Sequence, residues 1–239
     1  TCDGDKALVS RSALLAALLN CEPFLDAKNN YSDLIFFNTY VIGHDTFSVM
    51  ISSLTEQDPT SLVEDEDWDL AAYLPAKSCS VVKNFLEAVE DEEITITTTD
   101  SVIMVESSGG SLTLGQTVRN ESLAKMLFDL VKSSLADSRK TDIDGADIAQ
   151  GAKLALAVAA KDNLILEKKG NILTTTQDDF ELTIEAEDSV AFKVDAKKVN
   201  KNVRKRRCDV YAQEKDGKVT SLLFTGYTDS TLSLVKTLI

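Results

Sequence analysis

The sequence predicts an α+β protein built as two similar halves, each with two helices packed on antiparallel sheets. Three observations carry that prediction. Apolar residues recur every three or four positions in separate tracts, the spacing of a helix that buries one face. Between those tracts lie short alternating segments rich in Ile, Val, Thr, Phe and Tyr, which suit half-buried strands. The order strand, helix, strands occurs twice in the first half and returns in the second, and such an internal repeat marks a duplicated structural unit.

Lys6 to Ser10 reads as a short strand leading into a helix from about Ser12, with Leu14, Leu15, Leu18 and Leu19 at helical spacing. Pro23 and the pair Asn29 and Asn30 close that unit. Leu34 to Ser53 follows as successive strands broken by a tight turn at Gly43, His44 and Asp45. The stretch from Thr55 to Asp69 is acidic and contains Pro59, so mutual repulsion predicts an exposed, mobile loop whose far end Trp68 anchors. Leu70 to Leu74 resumes a strand, and Pro75 stands where a helix can start. Ala76 to Val89 then places Val81, Val82, Phe85, Leu86 and Val89 on one face. Glu93 to Thr99, Val102 to Glu106 and Ser111 to Leu114 read as hairpin partners joined at Thr99-Asp100 and Gly109-Gly110.

Residues 119 to 135 carry Leu123, Met126, Leu127, Leu130 and Val131 at helical spacing, and the polar stretch 137–145 reads as a linker. Another helix begins near Asp147 and ends by Asp162, followed by strands at Leu164 to Lys168, Ile172 to Thr176 and Phe180 to Glu185. Val190 to Val194 is a strand, Asp195 is a good N-cap, and Ala196 to Arg207 is the helix it starts. Asp209 to Gln213, Val219 to Thr225 and Thr231 to Leu238 supply the last strands. The expected division is therefore a first domain at 1–117, a connector at 118–145 and a second domain at 146–239.

A chain of 239 residues can form two domains of about 120, each able to bury its own core. No apolar run approaches the roughly 20 residues of a membrane span, so no membrane partner is expected. The start TCDGDKALVS lacks a signal-peptide pattern, and Cys2, Cys21, Cys79 and Cys208 are scattered without C-x-x-C spacing. A reduced cytoplasmic setting follows, or the host cytoplasm if a phage encodes the chain. His44 is the one histidine, which leaves no histidine pair for a metal. Nucleophile elbow, phosphate loop and H-E-x-x-H are all lacking, so the expectation is no metal, no cofactor and no enzyme.

One stretch departs from the acidic average. AKKVNKNVRKRR, Ala196 to Arg207, packs seven cations, and setting them aside leaves 18 basic residues against 39 acidic ones, a balance of −21 instead of −14. Ala196, Val199 and Val203 form one narrow apolar stripe, while Lys197, Lys198, Lys201, Arg204 and Lys205 spread over the remaining face. A positive ridge on a negative body admits phosphates at one place and repels them elsewhere. Arg206 and Arg207 also suit the end of a helix, where cations are favourable in any protein.

With this order in view, the chain resembles the DNA sliding clamps, ring-shaped processivity factors of replicative polymerases. The stretch AAYLPAKSCSVVKNFLEAVEDEEITITTTDSVIMVESSGGSLTLG, Ala71 to Gly115, is similar to the bacterial clamp pattern of strand, Pro-containing start, helix and three short strands ending near a Gly. VAFKVDAKKVNKNVRKRRCDVYAQ, Val190 to Gln213, is similar to the matching part of a clamp's last domain. The resemblance implies clamp-type domains in a closed ring of six around duplex DNA, helices lining the hole and strands outside. A chain with two such domains, as in eukaryotic and phage clamps, would form a homotrimer, and polymerase and clamp-loader peptides would dock on it.

Carried onto this sequence, the resemblance makes Lys197, Lys198, Lys201, Arg204 and Lys205 face DNA, with Lys77 and Lys83 in the equivalent first-half helix and Arg11 and Lys153 from the other two. It places His44, Val235 and Leu238 at the partner-peptide pocket, since clamps have a Gly-His turn and an apolar C-terminal tail there. The pattern departs in two places: helix-like 119–135 exceeds the extended connector of clamps, and acidic 55–69 has no clamp counterpart. Two rival readings compete. One is a monomeric nucleic-acid- or protein-binding module using 196–207 as an open surface, and the other is a carboxylate enzyme with 55–69 as a metal-dependent lid.

Overall fold

Strand β1 (Asp5–Ser10) turns straight into helix α1 (Arg11–Cys21), whose first turn is capped when the Ser10 hydroxyl accepts from the Ala13 amide. A meander follows, β2 (Asp33–Phe37), β3 (Tyr40–His44) and β4 (Ser48–Ser53). The same series then recurs as β5 (Ala71–Pro75), α2 (Ala76–Ala88), β6 (Glu93–Thr98), β7 (Val102–Ser107) and β8 (Gly110–Gly115). The computed structural model describes residues 4–25, 33–117, 121–158, 165–186, 190–203, 208–227 and 230–238. After α3 (Glu121–Ala136) it repeats the series twice more. The third copy is β9 (Ser138–Asp144), α4 (Gly145–Val158), β10 (Ile165–Lys169), β11 (Ile172–Thr175) and β12 (Glu181–Thr183). The fourth is β13 (Phe192–Asp195), α5 (Ala196–Asn202), β14 (Cys208–Lys215), β15 (Lys218–Gly226) and β16 (Thr231–Lys236).

The chain divides into two compact units between Asp129 and Leu130, inside α3. In the first unit neither βαβββ half completes its own sheet. β1 pairs antiparallel with β6, from Asp5 opposite Thr98 to Ser10 opposite Glu93, giving the order β1-β6-β7-β8. β5 pairs antiparallel with β2, from Pro75 opposite Asp33 to Ala71 opposite Phe37, giving β5-β2-β3-β4. The second unit does the same: β9 joins β14 and β13 joins β10, giving β9-β14-β15-β16 and β13-β10-β11-β12. Each lead strand crosses to the meander of the other half.

Each unit has its own core. The first gathers Leu14, Ala17 and Leu18 of α1 and Cys79, Val82 and Leu86 of α2 over Leu34, Phe36, Ile94 and Ile96 of the sheets. The second gathers Ile148, Ala152 and Ala155 of α4, Ala196 and Val199 of α5 and Val203 just after it over Leu166, Val194, Val210 and Phe224. A buried Leu or Phe contributes about 2 kcal/mol, so these stripes, more than helix propensity, place the helices. Cys21, Cys79 and Cys208 are buried and form no disulfide among the described residues, and burial pushes the Cys79 thiol up to about 12.

The expected apolar faces are wider than those observed. Leu19, Val81, Met126 and Leu130 are 53%, 44%, 57% and 37% exposed, because a helix lying on a sheet covers only a narrow stripe. α3 instead buries Ala124, Leu127, Phe128 and Val131. Gly43 and His44 form no turn; they end β3, and Gly43 is required because a Cβ there would lie 2.3 Å from the Cys21 carbonyl oxygen. The turn comes after them, where the Asp45 carboxylate accepts from the Phe47 and Ser48 amides at 2.8 and 2.9 Å. The polar stretch 137–145 is likewise no linker. It forms β9, with Thr141 and Ile143 buried in alternation and Arg139 and Lys140 paired to Glu214 and Asp209 across the strand. α5 ends at Asn202, with Val203 as its C-cap, short of the expected Arg207. β12 shrinks to Glu181–Thr183.

Residues 55–69 contain no helix or strand, as expected, yet they are tied down. Asn38, in the left-handed region at φ 53°, donates to the Asp65 and Trp68 carbonyls at 2.8 and 2.7 Å and accepts from the Asp65 amide at 2.8 Å. The Tyr40 hydroxyl donates to the Val63 carbonyl at 2.9 Å, and Leu62 is 5% exposed. Like-charge repulsion is overcome here by neutral backbone bonds. Asn38→Ala is expected to lower stability by about 2–3 kcal/mol, and Asn38→Gly by about 1 kcal/mol less because Gly accepts the positive φ. Urea unfolding of both variants checks this; equal losses would leave the hydrogen bonds as the whole effect.

Candidate nucleic-acid interface

Within each unit the two helices pack together, α1 with α2 and α4 with α5. Small residues let α4 come close. A Cβ on Gly151 would lie 3.0 Å from a Leu173 methyl, and one on Gly145 would lie 2.1 Å from the Cys208 sulfur. α5 is started by Asp195, whose carboxylate accepts from the Lys197 and Lys198 amides at 2.8 and 3.1 Å. Ala196, Val199 and Val203 are fully buried, the stripe expected from their spacing. That orientation leaves Lys197 exposed and Lys198 and Lys201 half-exposed, and Lys153 of the neighbouring α4 is exposed. Asn202, which spacing did not single out, is 3% exposed and donates to the Lys198 carbonyl at 2.7 Å.

The other expected cations divide. Lys77 is exposed on α2. Lys83 pairs with Glu22 at 2.5 Å. The Arg11 guanidinium donates to the Leu86 and Asp91 carbonyls at 3.1 and 3.0 Å, satisfying the end of α2. Arg11 and Lys83 are thus committed to the protein itself, which their sequence neighbours did not reveal. Arg204 and Lys205 lie outside the described residues, as do Arg206 and Arg207. The α4 and α5 pair carries the ammonium groups of Lys153, Lys197, Lys198 and Lys201. Such point charges attract phosphate without the planar fork that reads a base edge.

The three expected peptide-pocket residues are placed differently from one another. His44 is 6% exposed on β3 of the first unit, and Val235 is 1% exposed in the core of the second. Leu238 is 39% exposed, donates its amide to the Lys193 carbonyl at 2.7 Å, and lines a cleft of about 410 Å³ in the second unit. Phe192 and Val219 supply apolar wall to that cleft, while Lys169, Lys193 and Lys218 surround it. Lys168 lies fully buried beside it and donates to the Gly170 and Val190 carbonyls at 2.6 and 2.8 Å. Its alternation with Leu166 along β10 was the available signal. Among the described residues no group of three or more His, Cys, Asp and Glu is gathered to hold a metal ion, and no helix is long and apolar enough to cross a membrane.

No protein-family model and no curated protein matches this chain by sequence. Solved structures do match. The DNA polymerase III beta subunit of Thermotoga maritima superposes over 100% of this chain and 66% of its own, with TM-score 0.71 and 14% identity. A DNA polymerase sliding clamp of Pseudomonas aeruginosa, solved with a ligand, matches 100% of this chain and 67% of its own at TM-score 0.73 and 12% identity. The sliding clamp of Bartonella birtlesii bound to griselimycin matches 99% and 66% at TM-score 0.70 and 10% identity.

The chain has the sliding-clamp fold. It spans about two thirds of the length of the clamps it matches. The two-domain α+β class expected from the sequence is the one observed, with two βαβββ series in each half. Identity at this level preserves the burial pattern while leaving little else in common, which is why hydrophobic spacing carried the resemblance.

Burial lowers the His44 pKa, with Asp45 and Asp33 pulling the other way. A histidine held below its ordinary 6.5 favours the folded state while neutral, so its contribution is present above pH 6.5 and declines as pH falls through that value towards the folded pKa. Unfolding free energy is accordingly expected to fall between pH 7 and pH 5, and His44→Gln to flatten that decline. Urea titrations at several pH values check it; an unchanged slope in the variant would assign the decline to other groups.

Proposed function

We propose that this chain is a DNA sliding clamp, a non-enzymatic ring that encircles duplex DNA and tethers a replicative polymerase. The observation that carries the reading is the fold itself: paired helices in each of two clamp-type domains, the second taking in β9, with exposed lysines on α4 and α5 in a chain of net charge −14. In this reading Lys77, Lys153, Lys197, Lys198 and Lys201 face the DNA. Attraction to phosphates without base contacts lets the ring move along the duplex.

Ring closure needs two edges per chain. β8, with its outer residues exposed, and β12 are edge strands of their sheets, and edge strands offer unpaired backbone groups to another copy. Three copies of two domains supply the six of a clamp ring. The cleft at Leu238 suits a polymerase or clamp-loader peptide that carries an apolar side chain and an acidic one, the acidic one meeting Lys218, since Lys169 and Lys193 pair with Glu167 at 2.9 and 3.3 Å.

Light scattering over a range of concentrations is expected to give a mass near three times 26.0 kDa. The loaded ring is expected to stay on circular DNA and to leave when the circle is cut. A monomer at every concentration, with salt-sensitive binding to short linear DNA abolished by reversing the charge of Lys201, would replace the ring with an open-surface binding module.

A further inference from the structure

The first unit holds a second concavity, about 440 Å³, bounded by β2, β5, the acidic segment and the start of α3. Its lining includes the aromatic residues Phe37, Trp68 and Tyr73 and the carboxylates of Asp5, Glu64 and Asp69. The rim is prebuilt, because Asn38 fixes the backbone of Asp65 and Trp68 from beneath. One cation of the protein already shows what this chemistry holds. The Lys125 ammonium is bonded to Glu64, lies 3.1 Å from Asp129, and sits 5.7 Å above the Phe128 ring.

An incoming ligand meets aromatic surface beside surplus negative charge. An acidic segment is repelled there, and a purely apolar one strips water from the exposed Asp69 carboxylate. A lysine or arginine side chain satisfies both parts, laying its methylene stem on the rings and its head on the carboxylates. We propose that this groove docks a basic segment of a partner protein, with a lysine or arginine side chain held between Trp68 and the carboxylates of Asp69 and Glu64. Lys125 is its built-in competitor, since it occupies part of the counter-charge that the guest uses. The inference does not rest on ring formation, and a monomer would show it equally.

Trp68 is the sole tryptophan, so its emission reports the groove directly. The probe is an acetylated, amidated glycine–alanine peptide bearing three lysines and an arginine, titrated into the full chain at low salt. A saturable change in emission is expected. Asp69→Asn weakens binding about threefold to fivefold, and Lys125→Met tightens it by a similar factor, the range of exposed ion pairs and cation–π contacts. Both sites are exposed, and far-ultraviolet circular dichroism checks that each variant is folded. Any of three results overturns the proposal: no saturable emission change, equal affinity for the same peptide with glutamates in place of the cations, or indifference to both substitutions. Displacement of the peptide by spermidine at equal concentration would reduce the groove to a site for small polyamines and overturn the docking of a protein segment.

Discussion

The antiparallel ladders between β1 and β6 and between β5 and β2, with their counterparts in the second unit, set every other position in the molecule. A βαβββ series by itself has a three-stranded meander and a stray strand, with a helix that buries its stripe on nothing. Exchanging lead strands completes both sheets of a unit at once, and it brings the two helices side by side because each follows its lead strand without a loop. The Arg11 amide donates to the Glu92 carbonyl at 2.8 Å, so α1 begins beside the segment in which α2 has just ended. The positive end of one helix thereby lies by the negative end of the other, and the Arg11 guanidinium donates to the Leu86 carbonyl in the last turn of α2 and to the Asp91 carbonyl beyond it.

Pairing within the protein also decides which cations are already engaged. Several cations are drawn into structural work: Arg11 on the end of α2, Lys83 on Glu22, Lys140 on Asp209. Lys77 and Lys197, in the first turns of α2 and α5, and Lys153 in α4 stay exposed. A cation's neighbours in sequence cannot distinguish these groups, since Lys83 and Glu22 are 61 positions apart. The acidic remainder of the surface limits phosphate attraction to the faces where such lysines stand.

Much of the fold was legible because it is written in local spacing. Leu14 and Leu18, Val82 and Leu86, and Ala196 and Val199 are buried where their intervals put them, and Asp195 caps the helix it precedes. The hidden parts are those decided across the chain. β9 shows just Thr141 and Ile143 to the core between charged residues, so its alternation is masked until β14 lies beside it. Met126 and Leu130 are apolar on an outward face, while Phe128 is buried against Phe37 and Tyr40, ring centroids 5.4 and 5.2 Å away. Gly43 announced a turn by residue type, and the close pass of α1 gives it another reason. At the candidate site, the basic run was legible as charge, whereas the burial of His44 and Val235 was not.

The crossing of lead strands has a cost during synthesis. β1 leaves the ribosome well before its partner β6, which ends at Thr98, opposite Asp5. At 5–20 residues per second, β1 waits roughly 5–20 s before it can pair. Its sequence DKALVS meets that interval with charged residues at its start and a serine at its end, and only three apolar side chains between them. A nascent chain holding this strand unpaired is the stage at which a chaperone has most to protect.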